Sequence, residues 1–496
     1  MLNLILALSP IFIIFIGVLF FKKSTLHSSL AALIFTGLIA VFVESFKIDV
    51  WQLSEAVQSA IILSLSAILV IVPGLYLNTI VREQKYIDRM AFEIGRMEIT
   101  PENKVLILLL GFLPAVESLT GFGVSLFIGI PVFFKLFTRD KAFKLSLLGM
   151  NIMPWGTLGL ATVIGSNLIQ YPVKELGTIS SLTSFFVFPY IALLALYIIG
   201  GLVSLKKYAL RALILGLTFD CILLANNYYL APETAGVFAG MITGFLGICL
   251  SYQKNKFNFN IMGQLERINS FLPYVLILTF MSLLRFIQPI NYFLTHLLIL
   301  KSENVSLSVF TNPGIVLLLV ALIMQAIQPV SISLSETLKK AQPACLTILC
   351  FLLLSRMMLE TGMIKLISLS ISSYASQNLF LFLSPLIGMF SGFITGSNVG
   401  GNALLIRTQS EIGQQFGHNL AFAAAHNSGA GHMVFSSIPM LIFAIVIAKD
   451  LKNLENLDVQ EGHLLNFTLK VAIGIYIAIF GGLLILVSSN LDNILF

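Results

Sequence analysis

Long apolar runs, separated by short polar segments, extend over almost the whole chain. Most of the runs are close to the length of about 20 residues that a helix needs to cross a bilayer. The pattern therefore predicts an all-α polytopic membrane protein with about 12 transmembrane helices. The runs lie at residues 3–21, 29–46, 57–81, 105–137, 142–168, 178–203, 211–229, 234–251, 270–289, 313–330, 341–359, 378–410, 419–448 and 467–488.

Two of these runs, 105–137 and 378–410, are too long for one span, and glycine and polar residues interrupt both. Each is either one broken crossing or a helical hairpin that enters and leaves on the same side. Lys and Arg concentrate on the cytoplasmic side of membrane proteins. A single crossing at 105–137 would put the basic segments 82–104 and 135–144 on opposite sides, whereas a hairpin keeps them together. The charges therefore predict two re-entrant hairpins, with most of the 29 basic residues inside and both termini outside.

The order of these elements predicts two halves of opposite orientation. Residues 1–203 form the first half, with the hairpin 105–137, and residues 269–496 form the second, with the hairpin 378–410. Two linking spans and a cytoplasmic loop, 204–268, separate the halves. Inverted repeats with glycine-broken helices are typical of secondary transporters, whose binding sites lie near the bilayer midplane. Irregular backbone at that depth is tolerated only where it is buried in protein or lines a cavity.

Composition narrows the range of functions. Apolar residues make up 57% of the 496 residues and charged residues 10%, against about 25% charged in a soluble domain. A soluble enzyme and a nucleic-acid-binding protein are thereby excluded, and the net charge of +6 reflects basic cytoplasmic loops. The sequence contains no Walker, nucleophile-elbow or zinc-protease motif, and its four cysteines lie in apolar runs. We therefore predict a protein that is not an enzyme and that has no cofactor, no metal ion and no nucleic-acid partner.

The first hairpin turns at Glu117-Ser-Leu-Thr-Gly-Phe-Gly123, and a new half-helix is predicted from about Val124. The free amides and partial positive charge of a helix N-terminus suit a carboxylate. We therefore predict that Thr120, Gly121 and Gly123 contact a substrate. Glu117 is a carboxylate at depth in the membrane, where it must face a cavity or be protonated. It is predicted either to carry a coupling proton or to make a structural hydrogen bond.

The second hairpin turns at Thr395-Gly-Ser-Asn-Val-Gly-Gly-Asn402. Three glycines, two asparagines and two hydroxyl residues do not suit a lipid-facing segment because backbone and side-chain polar groups there need partners. Asn398 and Asn402 are four residues apart, so both point to one side of a half-helix that begins there. Gly396, Ser397, Asn398 and Asn402 are therefore predicted to bind the substrate or an ion.

A broken span follows each hairpin. The first contains Asn151-Ile-Met-Pro-Trp-Gly156, and the second contains His426-Asn-Ser-Gly-Ala-Gly-His432. Breaks at matching positions of two halves suit a midplane site, which predicts Asn151 and Asn427 as substrate contacts. His426 and His432 are predicted proton carriers, with a structural hydrogen-bonded role as the alternative.

Three further charged residues lie in apolar runs. Asp220 has a predicted role that the sequence does not specify. Arg285 and Arg356 are predicted to snorkel or to form pairs, and Arg356 alternatively attracts an anion into the cavity.

These motifs resemble the L-lactate permease family. The resemblance is carried by Glu117–Gly123, by Asn151–Gly156 and above all by Ser384–Gln409, and it extends over most of the chain. Members of that family are bacterial and archaeal carriers of lactate and glycolate, understood as proton symporters. The resemblance adds Gln409 to the predicted substrate contacts. The residues on the family's motif positions are Glu117, Gly121, Gly123, Gly396, Ser397, Asn398, Asn402 and Gln409.

The residues and the resemblance together predict a secondary active transporter that imports a small monocarboxylate, such as L-lactate or glycolate, by proton symport. Its location is predicted as the cytoplasmic membrane of a prokaryote, and its partners as the carboxylate, the proton and the lipid bilayer. A carrier of another organic anion and a sodium-coupled carrier share this architecture and stay open, as does a homodimer. A membrane subunit or sensor that does not transport is the remaining alternative.

Overall fold

The computed structural model describes residues 2–121, 123–251, 269, 271–449, 451 and 461–496. Nearly all of that chain is helical. A π-helical turn at Leu108–Phe112 joins the helix Pro101–Ile107 to the helix Leu113–Thr120. The helices before residue 252 are α1 Leu2–Leu19, α2 Thr25–Phe42, α3 Val50–Glu83, α4 Tyr86–Gly95, α5 Pro101–Ile107, α6 Leu113–Thr120, α7 Val124–Leu136, α8 Arg139–Leu148, α9 Gly156–Ile169, α10 Val173–Thr183, α11 Val187–Tyr229 and α12 Pro232–Ser251.

The residues that the structure describes after 270 add eleven more helices and one small sheet. The sheet pairs β1 Ile299–Lys301 with β2 Ser306–Ser308 in antiparallel register, with Leu300 opposite Leu307. The helices after residue 270 are α13 Leu272–Phe286, α14 Gln288–Leu297, α15 Pro313–Ile327, α16 Leu334–Glu360, α17 Met363–Tyr374, α18 Gln377–Thr395, α19 Asn398–Gln415, α20 Asn419–Met433, α21 Ile438–Lys449, α22 Glu461–Ser489 and α23 Leu491–Ile494. Single 3-10 turns lie at Glu44–Phe46, Met153–Trp155, Val309–Thr311 and Val434–Ser436.

The helix lengths confirm a polytopic membrane protein. Nine described helices are long and apolar enough to cross a bilayer, and up to 12 spans result if each of three bent helix pairs counts as one. In the first span, α1, 22% of the residues in the most apolar window are buried inside the protein, whereas in the segment Pro101–Thr120 the share is 94%. The hairpin arm therefore lies inside the protein and α1 lies at its periphery, as the polar turn of the hairpin requires.

Both overlong runs fold back on themselves, as predicted. In the second hairpin, the Ser384 hydroxyl in α18 donates to Oε1 of Gln409 in α19 at 2.9 Å, although 25 residues separate them. In the first hairpin, a methyl group at Gly129 would lie 3.4 Å from Cδ1 of Leu113. Only antiparallel arms bring such positions together. The observed arms, 101–120 with 124–136 and 377–395 with 398–415, closely match the predicted ranges.

The two halves pack against each other in a reciprocal way. The second arm of the first hairpin, α7, packs on α21, and the second arm of the second hairpin, α19, packs on α9. Both α9 and α21 are the second parts of broken spans, which bend by 48° and 40°. Reciprocal packing of the hairpins on the broken spans is expected of inverted repeats. The predicted boundaries 1–203, 204–268 and 269–496 remain predictions, and the predicted cytoplasmic loop falls on 252–268, outside the described residues.

Glycines bring the second hairpin close to the second broken span. A methyl group at Gly388 in α18 would lie 2.8 Å from the backbone oxygen of His426 in α20, and one at Gly392 would overlap the backbone oxygen of Ala430. Small residues allow such close crossings of membrane helices. The crossing fixes the hairpin turn relative to α20.

We expect Gly392→Ala to destabilise the protein. The added methyl group must push α18 away from α20, and such overpacking costs about 1–3 kcal/mol. Thermal unfolding of the purified protein in detergent measures the effect. The matched control is Gly481→Ala in α22, where no atom lies within 4 Å of the added carbon. Equal unfolding temperatures for the two variants would contradict the close crossing.

Candidate functional site

Three buried asparagines meet where the second hairpin, the second broken span and the first broken span come together. Asn398 and Asn402 lie in the first two turns of α19, and Asn427 lies in α20. Nδ2 of Asn402 and Nδ2 of Asn398 donate to Oδ1 of Asn427 at 2.8 and 3.2 Å. We call these three residues the asparagine cluster. The structure thus brings together three of the predicted substrate contacts.

The hairpin turn places Asn398 at the start of a helix. Gly396 ends α18 with φ +64, a left-handed conformation that favours glycine. Ser397 is the N-cap of α19, and its hydroxyl accepts from the Gly400 amide at 3.3 Å. Such a cap satisfies one of the free amides of the first turn. Gly396 and Ser397 therefore shape the turn, and the partial positive charge of the α19 N-terminus lies beside the asparagine cluster.

Asn427 connects the cluster to the first half of the chain. Its Nδ2 donates to the hydroxyls of Thr162 in α9 and Ser180 in α10, both at 3.0 Å. The Thr162 hydroxyl in turn donates to the backbone oxygen of Pro154 at 2.6 Å. With two donors and two accepted bonds, the Asn427 side chain uses its full hydrogen-bonding capacity. One fully buried side chain therefore links four helices.

The backbone of the first broken span is strained beside the cluster. Thr157 and Leu158 have φ values of +52 and +54, which costs a residue with a side chain about 1–2 kcal/mol. The break before α9 exposes the backbone oxygen of Met153, which accepts from Nδ2 of Asn398 at 3.4 Å. Strain of this kind concentrates at functional sites, where the surrounding structure holds it in place.

Two oxygens of the asparagine cluster have no partner among the described residues. They are Oδ1 of Asn398 and Oδ1 of Asn402, whose side chains are 5% and 0% exposed. A buried acceptor without a donor costs about 1–3 kcal/mol, so each is a strong candidate to receive a ligand. Amide oxygens accept a hydrogen bond from a hydroxyl group or coordinate a hard cation. The cluster is therefore suited to a hydroxylated substrate or a small ion.

The first hairpin turn uses its own carboxylate. Glu117 is fully buried, and its two oxygens accept from the amides of Gly123 and Ser125, each at 2.9 Å. The Thr120 hydroxyl donates within its own helix to the Val116 oxygen at 2.8 Å. The amides at the start of α7, predicted to hold a substrate carboxylate, are thus occupied by Glu117 in this structure. The sequence showed both groups but not their contact.

Both hairpin turns nevertheless border the broken spans. Gly121 has φ +69, and a methyl group there would overlap the Thr157 hydroxyl of α9. A methyl group at Gly123 would lie 3.0 Å from Cε1 of Phe443 in α21, and one at Gly396 would lie 3.5 Å from the Ser437 hydroxyl just before α21. The two turns therefore approach the same broken span from the two hairpins.

Two predicted substrate contacts make no described hydrogen bond to the asparagine cluster. Gln409 is bonded to the Ser384 hydroxyl and closes the second hairpin. Asn151 donates through Nδ2 to the Leu148 oxygen at 3.2 Å, and its buried Oδ1 has no partner among the described residues. Gln409 therefore holds α18 and α19 together.

The two predicted histidines are fully buried and lie in different surroundings. Nε2 of His426 lies 3.1 Å from the Gly401 oxygen in α19, and Nε2 of His432 lies 3.0 Å from the Ser184 hydroxyl. Nδ1 of each ring has no partner among the described residues. A charged imidazole carries a hydrogen on both nitrogens, so charging either ring would bury a donor without an acceptor. The contacts therefore favour neutral rings here.

Sequence reasoning missed the hydroxyl groups that surround these asparagines and histidines. Serine and threonine are common in transmembrane helices, where they bond to their own backbone, so their position in an apolar run carried no signal. The Ser184 hydroxyl donates to Ser428 at 2.9 Å, and Ser428 bonds in turn to Thr183 at 2.7 Å. The residues in question are Thr162, Ser180, Thr183, Ser184 and Ser428.

Comparison with known proteins identifies the family. The family model described as L-lactate permease matches residues 3–489. An L-lactate permease of Streptococcus iniae is 27% identical over 353 residues, which cover 66% of this chain and 74% of that protein. A putative L-lactate permease of Haemophilus influenzae is 24% identical over 517 residues, which cover 95% of this chain and 96% of that protein. The chain therefore belongs to the L-lactate permease family.

Proposed function

We propose that this protein is a secondary active transporter, and not an enzyme, that imports L-lactate or a related small 2-hydroxy acid such as glycolate by proton symport. The observation that carries the proposal is the pair of amide oxygens in the asparagine cluster, Oδ1 of Asn398 and of Asn402, for which the described residues supply no donor. The hydroxyl group of a 2-hydroxy acid is a donor that satisfies one such oxygen. The names of the two relatives support lactate as the substrate.

The architecture proposed with this function has two inverted repeats. Residues 1–203 and 269–496 form the repeats, 204–268 links them, and both termini face outside in the cytoplasmic membrane of a prokaryote. The reciprocal packing of α7 on α21 and of α19 on α9 supports the inversion. In such a fold the hairpins and broken spans of both repeats enclose a site near the bilayer midplane.

Glu117 is the proton carrier that the contacts favour among Glu117, His426 and His432. Each Glu117 oxygen accepts one backbone amide across the hairpin turn. Protonation turns one of these acceptors into a hydroxyl group, which weakens the contact with α7. The charge state of Glu117 would thereby control how firmly the first hairpin turn is held. Within the described part of the chain, neither histidine has the second partner that its charged form requires.

Uptake into proteoliposomes tests the proposal. We expect radiolabelled L-lactate to accumulate inside vesicles of the reconstituted protein when the outside is acidified, because inward proton flow then drives the substrate. Unlabelled glycolate should compete, whereas a dicarboxylate should compete weakly because a second charge has no partner in the asparagine cluster. Empty vesicles and vesicles treated with a protonophore are the controls.

Three outcomes would change the proposal. Accumulation that requires sodium and ignores the pH gradient would replace the proton by sodium, for which the asparagine oxygens are suitable ligands. Accumulation of another organic anion, without competition by any 2-hydroxy acid, would refute the substrate. Flux without accumulation would refute secondary active transport.

A further inference from the structure

The aspartate of α11 is buried in a candidate membrane span and makes no described hydrogen bond. Asp220 is 1% exposed, and neither Oδ1 nor Oδ2 has a partner within the described part of the chain. A charged carboxylate inside a membrane protein is costly unless it is paired or faces a cavity. The described surroundings of Asp220 therefore suit a neutral, protonated carboxyl group.

Glu117 shows what a buried carboxylate needs in order to keep its charge. Its two oxygens accept from two backbone amides, those of Gly123 and Ser125, each at 2.9 Å. Asp220 is buried to a similar degree, and no described group donates to it. Carboxyl groups in such unlike surroundings take different protonation states. The contacts of this conformation suit a charged Glu117 and a protonated Asp220.

Close packing shields Asp220 from water. Gly216 lies four residues before it, on the same face of the helix, and a methyl group at Gly216 would lie 2.7 Å from Cα of Pro189. The ring centroid of the adjacent Phe219 lies 4.2 Å from that of Phe188. The later part of α11 therefore lies directly on its earlier part. Water that could stabilise a carboxylate reaches Asp220 only if these contacts open.

Charged side chains of α5 and α10 meet α11 far along the helix from Asp220. Glu102 of α5 accepts from the Ser204 hydroxyl at 3.0 Å. Nζ of Lys174 in α10 lies 5.5 Å from the ring centroid of Tyr228. Tyr228 is eight residues from Asp220, which is about 12 Å along the helix, and Ser204 is farther away. Neither charge therefore pairs with Asp220.

The charged and titratable groups of α8, α12, α20 and α22 that were searched for a contact have other partners. Their contacts are those of Lys141 with the Ile199 oxygen at 2.6 Å, Glu233 with Arg285, His463 with Asp140 at 3.0 Å and His432 with the Ser184 hydroxyl at 3.0 Å. Among the described residues, the titratable side chain that acts on Asp220 is Cys221, which lies on the same helix and is exposed. The described charges therefore leave the Asp220 carboxyl group without a cation.

We infer that Asp220 is a proton-binding site inside the membrane and that the bound proton keeps the later part of α11 on its earlier part. Loss of the proton leaves a buried charge that no described group stabilises, so water has to enter and the contacts of Gly216 and Phe219 have to open. The released proton passes to that water. Gly200 and Gly201, whose backbone angles are not helical, divide α11 and provide a place where the two parts separate.

This site limits transport at alkaline pH, whereas the coupling proton stays with Glu117. The effect on transport rests on the proposed function. The proton site itself rests on the burial of Asp220 and on the contacts around it.

Infrared spectra of the purified full chain in liposomes test for the proton. A protonated carboxyl group has a C=O stretching band that shifts in heavy water. We expect wild type at neutral pH to show such a band that Asp220→Asn lacks. The matched control is Asp492→Asn, which removes a buried aspartate paired with His418 at 3.0 Å and should leave the band in place. If wild type and Asp220→Asn have the same carboxyl bands, Asp220 is charged and the inference is wrong.

Exchange of labelled against unlabelled L-lactate, at equal pH on both sides of the membrane, tests the effect on transport. We expect wild-type exchange to fall by about tenfold or more at alkaline pH, together with the infrared band, since the protonated fraction of an acid falls about tenfold per pH unit. Asp220→Asn imitates the protonated group and should keep its rate, whereas Asp492→Asn and Glu117→Gln should follow wild type. If Asp220→Asn loses exchange at the same pH as wild type, the proton does not hold α11 and the inference fails.

Thermal unfolding in detergent gives a result that needs no substrate. A folded chain that holds a proton which the unfolded chain releases becomes less stable as the pH rises. The unfolding temperature of wild type should therefore fall below that of Asp220→Asn with rising pH. Asp220→Leu, which is also neutral, repeats the comparison if Asp220→Asn does not fold. Lower unfolding temperatures of both variants at neutral pH would show that a charged Asp220 holds the fold, which would overturn the inference.

The proton site and the proposed function fail separately. If the infrared band and the unfolding temperatures are as expected but L-lactate is not transported, the site stands and the proposed substrate is wrong. If L-lactate is transported and neither measurement detects a proton on Asp220, the proposed function stands and the site is refuted.

Discussion

Replacing Asn427 by leucine is expected to abolish uptake. The change keeps the size of the side chain and removes two donors and two accepted bonds at once. Each buried polar group left without its partner costs about 1–3 kcal/mol. If two of these bonds hold the site in its transporting geometry, the initial rate of L-lactate uptake falls by about 100-fold or more, since each 1.4 kcal/mol is a factor of ten.

The measurement is the initial rate of radiolabelled L-lactate uptake under an inward proton gradient, with the unfolding temperature recorded in parallel. The matched control is Asn226→Ala, which removes a buried asparagine that accepts from Thr234 at 3.0 Å and makes no described hydrogen bond to the cluster. We expect this control to lose some stability and to keep its uptake. Wild-type uptake by a folded Asn427→Leu protein would show that the asparagine cluster is not the transport site.

The hairpins were predictable because the positions of Lys and Arg along the chain indicate which segments face the cytoplasm. The basic residues of 82–104 and 135–144 lie on either side of one overlong run, and the cost of placing them on opposite faces decides between a crossing and a hairpin. The same reasoning needs no knowledge of packing. The charge distribution therefore does not predict which helices pack together, such as α19 and α9, because helix packing depends on the shapes of the helix surfaces.

The asparagine cluster was predictable in part for a related reason. Asn398, Asn402 and Asn427 lie beside glycine-rich breaks in apolar runs, where polar side chains are conspicuous. Gln409 lies in the same motif, yet it bonds to Ser384 and closes the hairpin. A sequence shows that such a side chain needs a partner; it does not show whether the partner is a ligand or a neighbouring helix.

Glu117 shows the same limit more sharply. The pattern Glu117 to Gly123 predicts both a buried carboxylate and a helix N-terminus that attracts a carboxylate. From the sequence, the carboxylate is predicted to carry a proton or to make a structural hydrogen bond, and the helix N-terminus to bind the substrate. In the structure they satisfy each other. The backbone conformation of the turn, in which Gly121 and Gly123 have positive φ, brings the two groups together, and the sequence alone does not show it. Because Glu117 holds the turn through this contact, a substitution at Glu117 is the most informative test of coupling.

We expect Glu117→Gln to uncouple transport from protons. The glutamine amide imitates the protonated carboxylic acid, since it keeps one accepting oxygen and offers donors at the other position. The first hairpin turn should then stay in its weakly held state at every pH. L-lactate should still exchange across the membrane, as counterflow of labelled against unlabelled substrate measures. An inward proton gradient should no longer drive accumulation, so that the internal concentration only reaches the external one.

Glu55→Gln is the matched control because Glu55 is also a buried carboxylate that accepts from backbone amides, those of Glu303 and Asn304. These two amides belong to the loop between β1 and β2, outside both hairpins. We expect Glu55→Gln to keep both exchange and proton-driven accumulation. If Glu117→Gln instead lost exchange and accumulation together while remaining folded, Glu117 would be a clamp on the hairpin turn and the proton would travel on another group. If Glu117→Gln kept proton-driven accumulation, the carboxylate would have no part in coupling, because a group that cannot release a proton cannot carry one.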